Sequence, residues 1–566
     1  MKLGKVLVAC AWPYVNYLPH LGTLVQVLSA DVVARYYRLK GEDVLMVSGS
    51  DEHGTPIEVE AIKQGITPKQ LTDRIHAKVV RLFKQWNFSF DNYTRTENQV
   101  HIEFVQNLHR KIYDNGYIFT QETEMLYCEK DKRFLPDRFV EGKCPYCGYE
   151  AARGDQCEIC GRLLEPTLLI EPYCVICKSK PIFKKTRQWY FDLPKLSDKL
   201  ATYISDNKQF SASTKNFSLN IVKEEELKPR AVTRDVEWGI PAPYPEAEGK
   251  TFYVWFENVL GYVSATIEYY KNHKEPDKWK DFWFNKNAKS FYFIGKDNIP
   301  FHTIIFPAML LASGEGYNLP WNVSATEFLQ FKGERASKSR RIGIWLDEAL
   351  ELFSPDYWRY FIMATRPETK DSNFSWTMFI EKINADLNDT FGNFIHRTLK
   401  FINSQFDSQV PKPEDLSEED KRILETLKEK VDATAKEIED CKLQSASNEV
   451  IGIARVGNQY LNEKEPWNLI KKDKAKAANV IYVAALIVKA LAIVSAPFIP
   501  SAAEELWKTL NSNGTVHKQR WTEALTPLPP NHEIAKAKPL FQKIEANEKE
   551  LDEMLEKIGE KLAKEA

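Results

Sequence analysis

Lys5-Val-Leu-Val-Ala-Cys10-Ala-Trp-Pro-Tyr-Val-Asn16-Tyr-Leu-Pro-His20-Leu-Gly-Thr23 opens with a short apolar run of the kind that makes a buried strand. A loop follows from Trp12 to Pro19, and an apolar, helix-compatible stretch then runs from Leu21 to Tyr37. His20 to Thr23 therefore lie where a loop enters a helix. Free backbone N–H groups at a helix start form an anion site. Gly22 leaves room for a nucleotide to approach the backbone, and His20 and Thr23 can donate hydrogen bonds to phosphate oxygens. Taken alone, the tetrapeptide is also compatible with a plain strand–loop–helix carrying a surface histidine.

A second segment answers the first. Phe331-Lys-Gly-Glu-Arg335-Ala-Ser337-Lys338-Ser339-Arg-Arg-Ile-Gly343 is a polar, cationic, glycine-flanked loop between more apolar stretches. Lys338 suits a point-charge contact to a triphosphate, and Ser337 and Ser339 add hydroxyl donors. Its alternative is an ordinary solvated charge run. Jointly the two segments resemble the H-I-G-H and K-M-S-K-S signatures of class I aminoacyl-tRNA synthetases, which divide them between the halves of a Rossmann-like sheet.

Further stretches are similar to one branch of that class. They are Ala11-Trp-Pro-Tyr-Val-Asn16, Ser48-Gly-Ser-Asp-Glu-His-Gly-Thr-Pro56, Trp238-Gly-Ile-Pro241, Tyr253-Val-Trp255, Gly261-Tyr262, Phe293-Ile-Gly-Lys-Asp297 and Phe301-His302. In this order, across nearly the whole chain, they resemble the methionyl-tRNA synthetase family.

The resemblance implies a fold and a reaction. The fold is α/β: a class I Rossmann-like parallel-sheet catalytic domain with a zinc-knuckle insertion, followed by an all-α anticodon-binding helix bundle. The expected division is 1–115 and 233–325 for the catalytic halves, 116–232 for the connective insertion, 326–380 for the second-signature loop and stem-contact region, 381–530 for the bundle and 531–566 for a C-terminal helix packing back. The reaction is activation of L-methionine by ATP, with Mg²⁺, and transfer to the 3′ end of tRNA(Met). His20, Thr23, Arg335 and Lys338 are implied to stabilise charge on the phosphates. Gly22, Gly295, Asp297, Ser337 and Ser339 would hold ATP, with Asp297 on the ribose. Asp51 would face the substrate ammonium. Trp12, Tyr14, Trp255, Leu260, Tyr262, Phe301 and His302 would surround a flexible, polarizable thioether. Each of these aromatics is equally a core-packing candidate. Because one methylene discriminates by only about 1–3 kcal/mol, homocysteine is an expected competitor.

The chain departs from the family pattern at Thr23 for the second histidine, Arg335-Ala336 for Lys-Met, Trp12 for a common leucine and Asn258-Val259 for a common Ala-Pro. The last two fall on the amino-acid pocket wall.

Cysteines mark the insertion. Cys144-Pro-Tyr-Cys147 and Cys157-Glu-Ile-Cys160, each followed by glycine, have the spacing that presents four thiolates to one Zn²⁺. Cys174-Val-Ile-Cys177 lacks such a partner but shares its spacing with Cys128-Glu-Lys-Asp131, so nesting pairs these as a second zinc site. Asp131 is either its fourth ligand or a surface acid beside three cysteines. Gly, Pro, Cys and charged residues dominate from Glu141 to Lys185, so metal supplies folding energy where apolar area is scarce. Cys10 and Cys441 have no spaced partner and are expected as buried thiols.

Composition fits a cytoplasmic enzyme. At 566 residues several domains are expected. A formal net charge of −2 gives no global attraction for nucleic acid, so tRNA contact has to come from local basic faces. The apolar start is short and broken by Pro13, unlike a secretory signal. Ala478 to Pro500 contains Lys489 and many alanines, which suits a buried bundle helix and no membrane span.

From about Ser375 the pattern is helical, broken at Val410-Pro-Lys-Pro413 and Pro466. Asn393 and Arg397 share a helix face. With Trp467 they match the family's anticodon-reading set, which implies the CAU anticodon as target. Leu551, Met554, Leu555, Ile558 and Leu562 mark one face of a last amphipathic helix. The sequence ends there without the OB-fold module of many relatives, so the expectation is a monomer, with a separately encoded OB-fold tRNA-binding protein as a candidate partner.

Overall fold

The computed structural model describes residues 3–154, 157, 159, 164–224, 227–334 and 342–565. Strand β1 (Lys5–Cys10) leads through the Trp12–Pro19 loop into helix α1 (Leu21–Lys40). Its start is capped by His20, whose Nδ1 accepts from Gly22 N at 3.1 Å. Gly41 ends it at φ 92°, a left-handed turn that favours glycine. Strands β2 (Asp43–Ser50) and β3 (Asn92–Arg95) follow.

An antiparallel ribbon of β4 (Ile118–Cys128) and β5 (Ile182–Phe191) then leaves the catalytic body and returns. The cysteine knuckles lie in the chain between its two strands. Back in the body, β6 (Lys289–Gly295) and β7 (Asn322–Thr326) complete a parallel sheet in the order β7-β6-β1-β2-β3. The order reverses between β1 and β6. In open α/β sheets a crevice forms outside the carboxyl ends of the strands at such a switch point.

Beyond the sheet come α2 (Asn393–Gln405), α3 (Glu418–Glu439), α4 (Leu443–Lys464) and α5 (Lys474–Ser495). The apolar run expected as a bundle helix is α5, buried from Ala477 to Ser495 apart from Tyr482. Lys489 meets its polar need inside the core by donating to Thr526 O at 2.7 Å. Two buried arginines tie this half to the catalytic half. Asp31 on α1 accepts from Arg35 Nε at 2.8 Å and from Arg359 Nη2 at 2.5 Å. Arg359 also donates to the carbonyls of Pro497 and Phe498, at 3.1 and 3.0 Å.

Helix α6 (Glu548–Glu565) returns to the catalytic body: Trp376 Nε1 donates to Asp552 Oδ1 at 2.8 Å, and Lys561 pairs with Glu351 at 3.1 Å. Leu551 is buried, and Leu555, Ile558 and Leu562 are half-buried, as the apolar stripe requires. Met554 is a correction, since it is exposed. The packed face is centred towards Leu555 and Gly559, which leaves Met554 beyond its rim at 100° of rotation per residue.

Candidate active site

A cavity of about 780 Å³ opens at the carboxyl ends of β1 and β6, lined among others by Trp12, Tyr14, His20, Gly22, Thr23, Trp255, Gly295, Asp297 and Phe301. The topology thus brings together first-signature, ribose-side and aromatic residues distant in sequence.

His20 is half-buried in the cavity wall, and loss of water holds its imidazole down to about 4, so the ring is neutral at pH 7. Because Nδ1 accepts from the Gly22 amide, the ring proton sits on Nε2. His20 is therefore a neutral N–H donor. Gly22 has to be small for this cap, because a Cβ there would sit 2.8 Å from the imidazole.

Arg335, Ser337, Lys338 and Ser339 lie outside the described residues, but their flanks do not. Phe331 stands edge-on to His20 with ring centroids 6.4 Å apart. Ile344 O accepts from Leu21 N at 3.0 Å, Leu346 N donates to Pro19 O at 3.2 Å, and His20 bridges Trp345. Both ends of the second signature are thereby held against the first.

On the aromatic side, Trp255 stacks on Phe301 at 4.0 Å with an 8° tilt, and Tyr14 meets Trp255 edge-on. Trp12 packs edge-on to Tyr262 and against His101. The space for its indole comes from two glycines: a Cβ at Gly49 or Gly261 would lie 2.4 or 2.6 Å from the ring. That pairing explains how tryptophan fits where leucine is common.

Asp51, Leu260, Tyr262 and His302 do not line the open cavity; all four are buried behind it. Tyr262 and His302 bond to each other, Oη to Nε2, at 2.8 Å, while His302 Nδ1 donates to Asn298 O at 2.9 Å. Asp51 is 1% exposed. Its Oδ2 accepts from Asn258 Nδ2 at 2.6 Å, and its Oδ1 receives a long 3.4 Å contact from His53 N.

Next to Asp51 lies a buried network that the sequence reading missed. His53 bonds Glu257 through Nδ1 at 3.0 Å and Glu97 through Nε2 at 2.8 Å, and His101 Nε2 bonds Glu257 at 2.8 Å. Burial opposes the charge on His53, but Glu257 and Glu97 more than offset it and raise the ring to about 10. Burial likewise opposes the Glu257 charge, and His53 and His101 pull that carboxyl down to about 2. For Asp51, the His53 charge and the bonds from Asn258 and His53 N pull the carboxyl down but are outweighed. Burial first, then Glu257, push its carboxyl well above the ordinary carboxylate range. Only the Ser48–Pro56 motif signalled this region in sequence, and only through Asp51.

In the insertion, the ligand atoms of Cys128, Asp131, Cys174 and Cys177 lie within 4.8 Å of one another, as do those of Cys144, Cys147 and Cys157. Cys160 is outside the described residues. Sulfur atoms of Cys128 and Cys177 are 3.4 Å apart, and those of Cys147 and Cys157 are 3.6 Å apart. A disulfide needs about 2.05 Å, whereas two thiolates on one tetrahedral zinc stand about 3.8 Å apart. Both donor sets fit a metal. Asp131 Oδ2 points inward, 3.0 Å from Cys174 Sγ and 3.4 Å from Cys128 Sγ. Cys10 and Cys441 are buried thiols, both raised to about 12 by desolvation.

Far from the crevice, Arg397 lies 5.0 Å over the Trp467 ring and donates to Asn462 Oδ1 at 3.0 Å. Asn393, one turn earlier on α2, is exposed beside them. Arg397 and Trp467 are thus brought together.

The family model described as tRNA synthetases class I (M) matches residues 6–399, and that of the anticodon binding domain of methionyl tRNA ligase matches residues 410–559. The chain belongs to the methionyl-tRNA synthetase family. Among its relatives, the methionine–tRNA ligase of Thermofilum pendens is 51% identical over 98% of both chains. That of Caldivirga maquilingensis is 52% identical over 98% of this chain and 94% of the relative. The fold is also that of the Mycobacterium tuberculosis methionyl-tRNA synthetase solved with methionyl-adenylate, with a TM-score of 0.79 at 23% identity, over 96% of this chain and all of that one. Within a methionyl-tRNA synthetase the crevice at β1 and β6 is the place to look for chemistry; of the Arg397–Trp467 stack, Trp467 falls within the residues matched by the anticodon binding domain and Arg397 within those matched by the class I model.

Proposed function

We propose that this chain is a methionine–tRNA ligase: it activates L-methionine with ATP to methionyl-adenylate and pyrophosphate, then transfers methionine to the 3′ end of tRNA(Met), reading the CAU anticodon. The observation that carries this reading is the crevice itself, lined by a neutral histidine donor and an aromatic wall, with a buried carboxylate behind it.

The methionine carboxylate attacks the α-phosphorus in line and pyrophosphate leaves, so no side-chain base is needed. The protein has to place the reactants and stabilise the phosphate charge. His20 donates from Nε2, Thr23 adds its hydroxyl, and Arg335 and Lys338 contribute cations beside the ATP-bound Mg²⁺. Gly22, Ser337 and Ser339 bind phosphate, and Gly295 and Asp297 hold the adenosine ribose. Asp51 takes the substrate ammonium, with Trp12, Tyr14, Trp255, Leu260, Tyr262, Phe301 and His302 around the side chain. The tRNA ribose hydroxyl then attacks the adenylate carbonyl and AMP leaves.

Two Zn²⁺ ions belong to this reading, one on Cys144, Cys147, Cys157 and Cys160, the other on Cys128, Asp131, Cys174 and Cys177. Four protein ligands close each site, so the metal supplies folding energy to the insertion. The enzyme acts in the cytoplasm as a monomer, alone or with a separately encoded OB-fold tRNA-binding protein.

The deciding experiment is ATP–pyrophosphate exchange with methionine, isoleucine, leucine and cysteine in turn. Exchange dependent on methionine is expected. Exchange with another of them points to a sibling synthetase, and none with any points to a non-catalytic tRNA-binding paralogue. In the bundle, Asn393, Arg397 and Trp467 read the anticodon. Trp467 is 36% exposed, enough to serve as a stacking platform. Base–aromatic stacking is worth about 1–3 kcal/mol, so Trp467→Ala should lower aminoacylation kcat/KM for tRNA by about ten- to a hundredfold. Pyrophosphate exchange should stay at the wild-type rate; a parallel fall in both assays would instead mean a packing role.

A further inference from the structure

Asp51 is buried behind the amino-acid end of the crevice. Among the described residues it forms no ion pair, while its neighbours Glu257 and Glu97 are both paired with His53. The two segments that supply these groups meet twice: His53 with Glu257, and Asp51 with Asn258. The second contact is the shorter, at 2.6 Å, and both of its residues are buried.

An amide donor there has a specific consequence. A buried carboxylate with one oxygen unpaired loses hydration that nothing restores, and it then rotates or protonates. Asn258 removes that freedom for Oδ2 without neutralising the charge, because an amide carries none. Oδ1 keeps only the long contact from His53 N. A cation arriving at Oδ1 thus finds a carboxylate already oriented and still in need of its charge. The alanine common at this position in the family pattern has no donor to offer.

We propose that Asn258 is a positioning residue for the amino-acid substrate, fixing Asp51 through Oδ2 so that the carboxylate meets the substrate's α-ammonium. The inference rests on the reading of Asp51 as the ammonium partner. It assigns Asn258 to recognition of the ammonium group and not to the thioether pocket or to ATP.

The test compares two ligands in pyrophosphate exchange by the full-length enzyme. One is methionine; the other is 4-(methylthio)butanoate, which lacks only the amino group and is measured as a competitive inhibitor. Asn258→Leu keeps similar volume without the donor, and Asn258→Ala removes both. Hydrogen bonds to charged groups are strong enough that each variant should raise the methionine KM about tenfold or more. The kcat, the ATP KM and the Ki of the desamino analogue should stay within about twofold of wild type, since none involves the ammonium. Equal weakening of methionine and the analogue would overturn the proposal in favour of a packing role. An unchanged methionine KM would overturn it too, and so would failure of both variants to fold, which would make the amide architectural. Asp51→Asn separates the two levels. If it leaves the methionine KM unchanged, the ammonium reading itself fails; if it raises KM while the Asn258 variants do not, only the role of Asn258 is lost.

Discussion

Asp51→Asn is expected to lower kcat/KM for methionine by about two orders of magnitude or more, since removing one partner of a buried charge pair costs about 2–5 kcal/mol. The substitution keeps shape and one hydrogen-bonding oxygen but removes the charge. Among the described residues the neighbouring carboxylates are already paired, Glu257 and Glu97 with His53 and Glu52 with Arg95. The loss should appear in the methionine KM and leave the ATP KM near wild type, because His20, Gly295 and Asp297 are untouched.

A pH dependence comes with it. The groups facing Asp51 are Glu52 and His53 on its own segment, Glu257 and Asn258 across from it, and Glu97 and His101 beyond. Desolvation and the Glu257 charge raise the Asp51 carboxyl in the free enzyme. A raised carboxyl keeps its proton to higher pH, and a protonated Asp51 does not attract an ammonium. The methionine KM should therefore rise as pH falls below that raised value, by up to about tenfold per unit. Asp51→Asn should flatten this limb. A limb that persists unchanged in the variant would mean that another group controls binding.

The strand and helix around His20 were legible because one apolar run, one Pro-interrupted loop and one helical stretch are local signals. The two donor clusters that could hold a metal were legible for the same reason: i, i+3 spacing is a property of neighbours in sequence. What lies behind the cavity wall was not. His53 acquires its role from Glu97 and from Glu257, the latter 204 residues away. Nothing in the local pattern of these residues announces the others. Trp12 read as a departure until the fold placed Gly49 and Gly261 under its indole. The second signature was legible as a motif, but its tie to the first comes from backbone bonds of Pro19, Leu21, Ile344 and Leu346, which no side-chain motif encodes.

Asp31→Asn is expected to destabilise the protein by about 3–5 kcal/mol, the cost of leaving a buried charge without its partner. Both Asp31 and Arg359 are fully buried, and Arg35 shares the same carboxylate oxygen. The Ser89 N–H and hydroxyl occupy the other oxygen at 2.7 and 2.6 Å. Removing the aspartate charge strands two guanidinium groups; removing one arginine still leaves Asp31 paired with the other. Asp31→Asn should therefore cost more than Arg359→Met, and the double variant less than the sum of the two. The two arginines hold the Asp31 carboxyl well below the ordinary carboxylate range despite its burial. A depressed carboxyl contributes stability that is fully present above about pH 4, the unfolded value, and is lost as pH falls through the folded one. The wild type should accordingly lose stability below about pH 4 along a limb that Asp31→Asn lacks. Urea unfolding followed across pH checks both claims. Because Arg359 also holds the Pro497 and Phe498 carbonyls, the first transition should be loss of contact between helix bundle and catalytic body. Additive single costs, or an acid limb equally steep in the variant, would place the coupling between the halves elsewhere.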